Sequence, residues 1–239
     1  MRSWLSVLIK TILPCPGCGK DSGGQGNSFC AECQNELKII PEDADCCPGC
    51  GGEITGLLGC CNQCLAEPER PWKRAFTIMP YQERASELIR QFKFHNTPEL
   101  ARPLGYLLAE KIRKNHLEVD MIVPVPLYFT RLLRRTYNQS LLLAKIAGKA
   151  CGIPVQSALT RKRRRSHQAG RNRRDRHKEL AGSMALKNPE SIAGKNILLL
   201  DDVFTTGATL HAAAAALQKG KPASIQVITL ARTPGYTNF

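Results

Sequence analysis

The sequence predicts an α/β protein: a parallel sheet flanked by helices, with a small cysteine-rich module ahead of it. Three observations carry that expectation. Short β-branched runs alternate with amphipathic helical stripes from Ala75 onward. Ten of the 11 cysteines fall between Cys15 and Cys64. The charge divides in the same region: residues 1–72 hold 5 Lys/Arg against 9 Asp/Glu, and residues 73–239 hold 29 against 11, within a total of +14. With 43% hydrophobic and 23% charged residues, the 239-residue chain has the apolar content of a folded protein rather than a disordered one. No apolar run approaches about 18 residues, so no membrane span is expected. Collagen-like and low-complexity classes are excluded by 19 Gly and 15 Pro spread without a short period.

Met1–Leu13 carries Trp4, Leu5, Leu8 and Ile12 at helical spacing, and residues 1–14 are expected to form a short amphipathic helix. Lys10 interrupts the apolar stretch and no small-residue cleavage site follows, so this is not the pattern of a secretion signal. The expected setting is therefore the reducing cytoplasm, where cysteines favour metal ligation over disulfides.

The cysteines form an internal repeat. Cys15-Pro16-Gly17-Cys18-Gly19 returns 32 residues later as Cys47-Pro48-Gly49-Cys50-Gly51, and each copy is followed by a second pair, Cys30/Cys33 and Cys61/Cys64. Two cysteines separated by two residues in a tight turn can face one ion, and two such turns close a tetrahedral four-thiolate site with no open position for catalysis. Glycine after the second cysteine relieves backbone crowding, and nearby N–H groups can donate to the sulfurs. The expectation is two structural zinc sites over residues 15–67, Cys15/Cys18/Cys30/Cys33 and Cys47/Cys50/Cys61/Cys64. Cys46 and Cys60 lie outside the repeated register and are expected to be spare thiols. Pro68 and Pro71 bracket charged residues and mark a boundary before a second domain, residues 72–239.

In that domain Ala75–Tyr81 reads as a strand, then Arg84–Phe94 and Pro98–Lys114 as helices, with Leu104, Leu107, Leu108 and Ile112 keeping one stripe. Asp120–Val125 is a short strand closed by Pro124 and Pro126. Leu141–Ala150 is helical, Ile153–Val155 a candidate strand, Asn196–Leu200 a buried strand, Gly207–Lys219 an alanine-rich helix and Ser224–Leu230 a final strand. Ligands of such sheets bind beyond the carboxyl ends of the strands. One end carries Asp201 and Asp202, then Thr205, Thr206, Gly207, Ala208 and Thr209 opening a helix. Backbone N–H groups at a helix start, with threonine hydroxyls around them, form a cradle for a phosphate dianion. The two carboxylates would repel a phosphate and suit sugar hydroxyls or a magnesium ion a few ångströms away. A 5-phosphorylated ribose satisfies both halves.

This segment resembles the phosphoribosyl-pyrophosphate (PRPP) signature of the type I phosphoribosyltransferases, and the resemblance implies their parallel-sheet fold. A double four-cysteine module ahead of it resembles the ComF (ComFC/GntX) family over nearly the whole chain. Supporting segments are Lys93-Phe94, Val123-Pro124-Val125-Pro126 and the stretch from Arg131 through Arg134-Arg135-Thr136-Tyr137-Asn138-Gln139, where Thr136 and Tyr137 stand in place of the family's Gly and Phe. The resemblance implies PRPP and magnesium as ligands, with Asp201 and Asp202 on the ribose hydroxyls and Thr205–Thr209 on the 5-phosphate. It also implies a pyrophosphate loop at Pro126 and Leu127, with Arg131, Arg134 and Arg135 as candidate partners. Displacement of pyrophosphate by a nitrogen acceptor would be the reaction, and bacterial DNA uptake (competence) or gluconate metabolism the associated settings. A glutamine-hydrolysing version is not expected, since the chain begins Met1-Arg2-Ser3 without a nucleophilic cysteine.

Arg161–Lys178 holds ten Lys/Arg and one acid. By position it matches the mobile loop that closes over the active site in the family, with Arg163, Arg164, Arg165, Gln168, Arg171 and Asn172 as candidate contacts. A basic run is also the electrostatic footprint of nucleic-acid binding. The alternative reading is therefore a catalytically inert PRPP-fold protein that binds single-stranded DNA or a DNA-uptake helicase partner.

Overall fold

The structure is a computed structural model and describes residues 14–20, 28–54, 58–66, 70–95, 97–127, 137–161 and 182–234. Four strands form one parallel sheet: β1 (Arg74–Pro80), β2 (Met121–Pro124), β5 (Asn196–Phe204) and β6 (Ser224–Arg232), in the order β1-β6-β5-β2. Two short strands, β3 (Leu159–Arg161) and β4 (Met184–Leu186), make a separate antiparallel ribbon. Ile153–Val155 is not a strand; it contributes a single bridge, Val155 to Ile122.

Helices α3 (Glu83–Phe94), α4 (Ala101–Lys114) and α5 (Gln139–Cys151) cover one face of the sheet. Each brings an apolar stripe at helical spacing: Ala85, Leu88, Ile89 and Phe92 on α3, and Leu104, Leu108 and Ile112 on α4. They close over Phe76, Ile122, Leu198, Leu200 and Ile228. Asn138 starts α5 by accepting from Leu141 N at 3.2 Å, and Gly152 ends it in the left-handed region. Helix α6 (Ala208–Gln218) and the β3–β4 ribbon cover the other face, over Val123, Ile197, Leu199 and Val227.

The cysteine module lies along β1, the sheet's outer strand. Two short helices in it, α1 (Ala31–Glu36) and α2 (Asn62–Leu65), each begin just after the third cysteine of a repeat copy. The module occupies the backbone groups of the edge: Ile40 N donates to Ile78 O at 2.8 Å, and Ala75 N to Pro48 O at 2.8 Å. Thr77 Oγ1 donates to Cys50 O at 3.0 Å. An edge that would otherwise invite pairing with another chain is thereby covered. Cys15 and Cys33 join the core beneath α3–α5, while Cys47 and Cys50 join the core beneath α6, so the two repeat copies grip opposite faces of one edge. The stretch 1–13 read as a helix lies outside the described residues, and among the described ones no helix is long and apolar enough to cross a membrane.

Candidate active site and thiolate clusters

The carboxyl end of the sheet is shaped by a difference in strand length. β2 pairs with β5 only as far as Pro124 opposite Leu200, whereas β5 runs on to Phe204 beside β6. Asp201 and Asp202 therefore belong to the strand rather than to a loop beyond it, a correction to the expected end at Leu200. The strand persists because β6 continues to offer a partner, Thr229 to Asp201 and Arg232 to Phe204. On the β2 side the prolines stop the ladder, and β5 beyond Leu200 has no partner strand on that edge among the described residues.

Each carboxylate has its own neighbour. Asp202, 8% exposed, takes an ion pair from Lys93 at the end of α3, Nζ to Oδ1 2.8 Å. Asp201 Oδ1 accepts from Ser140 Oγ of α5 and from Asp202 N, both at 2.9 Å. Burial, and then the adjacent Asp202 charge, push the Asp201 carboxyl up to about 7 against the relief given by Asp202 N–H, Lys93 and Ser140. Two consecutive carboxylates with excess negative charge offer oxygen ligands of the kind a hard divalent cation such as magnesium takes. Gln139, which precedes Ser140 on α5, is fully buried with both amide atoms unpartnered, a cost of about 1–3 kcal/mol per group unless a ligand meets them.

Beyond Phe204 the chain turns through Thr205 (exposed) and Thr206 into α6. Gly207 stands immediately before the helix at φ +76°, where a Cβ would meet Phe204 Cζ at 2.7 Å and Arg70 Nη1 at 2.8 Å. Only glycine lets the backbone fold this tightly and bring the first helical N–H groups together. Thr206 Oγ1 accepts from Ala208 N at 3.4 Å; Thr209 lies half-buried in the first turn of α6. The turn at Pro126 and Leu127 flanks β2, its carbonyls held by Asn138 Nδ2 to Val125 O at 3.3 Å and Arg161 Nη1 to Pro126 O at 3.4 Å. Arg131, Arg134 and Arg135 lie outside the described residues, as do Arg163, Arg164, Arg165, Gln168, Arg171 and Asn172. The pairing of β3 with β4 does tie the two ends of the basic segment together, next to that turn.

The eight repeat cysteines converge in two groups, Cys15/Cys18/Cys30/Cys33 and Cys47/Cys50/Cys61/Cys64, with all Sγ atoms of a group within 4.8 Å of one another. Sγ separations of 3.7 Å, Cys18 to Cys30 and Cys50 to Cys61, match the roughly 3.8 Å edge of a tetrahedron with ~2.3 Å metal–sulfur bonds. Burial works against charge on Cys15, but backbone N–H groups of Cys30, Cys18 and Gly17 outweigh it and hold the thiol at about 6. Cys60, outside the four-cysteine group, lies against it: its Sγ is 3.4 Å from that of Cys47. Burial and that neighbour push it up to about 11. Cys46 takes part in a backbone bridge to Glu53.

Residues 93–239 match the phosphoribosyl transferase domain family, and over 213 residues the chain is 33% identical to Competence protein F of Haemophilus influenzae, spanning 86% of this chain and 91% of that one. The chain belongs to the ComF family. A second member, the DNA utilization protein YhgH of Escherichia coli, is 34% identical over 211 residues, 86% of this chain and 90% of its own. Among solved structures, this ComF chain is similar to the glutamine PRPP amidotransferase from B. subtilis, with a TM-score of 0.42 and 16% identity, over 59% of this chain and 30% of the other. Several residues around the ComF crevice had no role assigned from sequence. Asn138 and Gln139 stand in the Arg134–Gln139 stretch and Lys93 beside Phe94, but Ser140 and Arg70 carry no local signal; only the fold brings them in.

Proposed function

We propose that this chain binds PRPP with magnesium and transfers its phosphoribosyl group to a nitrogen acceptor, releasing pyrophosphate. One observation carries the reading: the Asp201–Asp202 pair on the open edge of β5, followed within five residues by the Gly207 turn into α6. Thr205, Thr206, Gly207, Ala208 and Thr209 hold the 5-phosphate on backbone N–H groups and hydroxyls. That remote grip fixes the sugar for attack. Asp201 and Asp202 accept from the ribose hydroxyls and stabilise positive charge as the C1–O bond to pyrophosphate breaks and the C1–N bond forms. The bond electrons leave with pyrophosphate, and the acceptor's proton passes to solvent. The Pro126–Leu127 turn and the arginines that follow it face the leaving group, and the basic segment anchored by β3 and β4 closes over it. Magnesium, on the same carboxylates, would neutralise the pyrophosphate. Each thiolate cluster holds a structural zinc ion. The reducing cytoplasm suits these thiols, and similarity to Competence protein F and DNA utilization protein YhgH supports a setting in DNA uptake and utilization.

Lys93 on Asp202, with ten cations in the Arg161–Lys178 segment, also favours a second reading. In it the site holds PRPP without turnover, and the protein acts on single-stranded DNA or a DNA-uptake partner such as a helicase. One experiment orders these readings. PRPP with magnesium at roughly a hundredfold excess over Kd should raise Tm by about 5–10 °C. An unchanged Tm at millimolar ligand sinks both PRPP readings. Where binding is seen, pyrophosphate release across a panel of amines and bases separates the enzyme from the inert binder.

A further inference from the structure

The second thiolate cluster does not stand apart from the phosphate loop. Three side chains join them. Gln63, on α2 between two of the cluster's cysteines, donates from Nε2 to Thr205 O at 3.5 Å. Arg232, the last residue of β6 and the register partner of Phe204, donates from Nη2 to Cys61 Sγ and to Gln63 Oε1, both at 3.4 Å. Arg70 donates from Nη2 to Cys64 Sγ at 3.7 Å, while its Nη1 packs on Gly207 and its guanidinium lies 5.4 Å from the Trp72 ring centre and 5.6 Å from that of Phe204. Neither arginine forms an ion pair with a carboxylate among the described residues. Their charge is matched instead by the cluster, since four thiolates around a divalent ion leave a formal charge of about −2. Hydrogen bonds to metal-bound sulfur are the usual way a surrounding shell fixes such a site; here the donors' other contacts are the loop itself.

We propose that Gln63, Arg70 and Arg232 are positioning residues that make the second cluster part of the phosphate loop. Metal in that cluster sets the geometry of Thr205–Thr209, and a phosphorylated ligand on the loop in turn retains the metal. The second half of the statement follows from the first, because coupling between two binding sites is reciprocal, and it rests on the reading of this loop as the 5-phosphate site. Among the described residues the first cluster makes no such contact: its partners are α3 and the core beneath it, with Arg84 donating to Gly17 O.

The test uses the full chain and the variants Gln63→Leu, Arg70→Met, the pair together, and Arg70→Lys. With elemental analysis still finding two metal ions per chain, hydrogen exchange at Thr205–Thr209 should be roughly 5- to 10-fold faster in the double variant, the loss of about one net hydrogen bond. It should return toward wild type in Arg70→Lys. Unchanged exchange in the double variant overturns the coupling whatever the ligand does. Should Arg70→Met lose metal or fail to fold, Gln63→Leu alone, at a half-buried position, decides the same point. Metal capture by a chromogenic zinc chelator, with and without PRPP–magnesium, gives the reciprocal measurement. In wild type the ligand should slow the release of one of the two ions about 5-fold or more and leave the other unchanged. The double variant should show no such protection. Protection of both ions, of neither, or equal protection in the variant overturns the proposal. If wild type binds no PRPP at all, the functional reading falls by itself, and the exchange experiment still judges the link.

Discussion

Lys93 and Asp202 meet across 109 residues of sequence because α3 ends beside the open end of β5, and the pair leaves Asp201 as the carboxylate without a cation of its own. Two predictions follow from that asymmetry. For Asp201, the folded pKa near 7 stands above its ordinary 3.8, so the folded state binds more protons between those values. Stability must then fall as pH rises from about 4 to about 7, with the full cost present above 7. Asp201→Asn should stabilise the free protein at pH 8 and lose that advantage by pH 4, while weakening PRPP–magnesium binding. Urea unfolding across pH checks it, and a gain that is largest in acid would refute the assignment. Lys93→Met strands the Asp202 charge, a loss of about 1–3 kcal/mol. Magnesium should restore more of that loss, measured as Tm, than it adds to wild type. Asp201, Asp202 and the threonine loop were legible in sequence because strand, acids and glycine are contiguous. The identity of the counter-ion was not, because a long-range side-chain pairing leaves no local pattern.

At the scale of elements, strand and helix positions followed from periodicity, but where each ended depended on its neighbours. β5 outran its expected end because β6 matched it, and β3 and β4 were too short, at three residues each, to stand out beside a basic run. The repeat shows the same lesson more sharply. Gly19 and Gly51 are equivalent in sequence and nearly so in backbone, at φ +75° and +71°. Among the described residues a Cβ on Gly19 would meet nothing within 4 Å, whereas one on Gly51 would lie 2.6 Å from Phe76 C and Thr77 N on the edge strand. Gly19→Ala should therefore cost only the left-handed backbone penalty, about 1–2 kcal/mol. Gly51→Ala should cost a further 1–3 kcal/mol or so, because the opposing atoms are main chain and cannot swing aside. Denaturant midpoints of the two variants compare them directly, and equal losses would mean that the second copy does not press on β1 as described.

For the whole molecule, the charge division acquires a geometry. The cysteine-bearing part of the acidic region lies along β1, while Arg161, where the basic segment begins, ends β3 near β2 at the other edge. An anionic chain drawn to that edge would approach away from the anionic clusters, without repulsion from them. Arg161, the first residue of that segment, donates to Pro126 O at the turn after β2. Single-stranded DNA should accordingly be retained at low salt and released steeply as salt rises. Each phosphate neutralised contributes about 0.7 to the slope of log affinity against log salt for a single strand, so replacing Arg163, Arg164 and Arg165 with Ala should flatten that slope by about 2. Gel shifts at four or five salt concentrations measure it. A slope unchanged by the triple substitution would move DNA contact elsewhere on the surface, and no retention by wild type at low salt would leave the segment to the anionic sugar substrate alone.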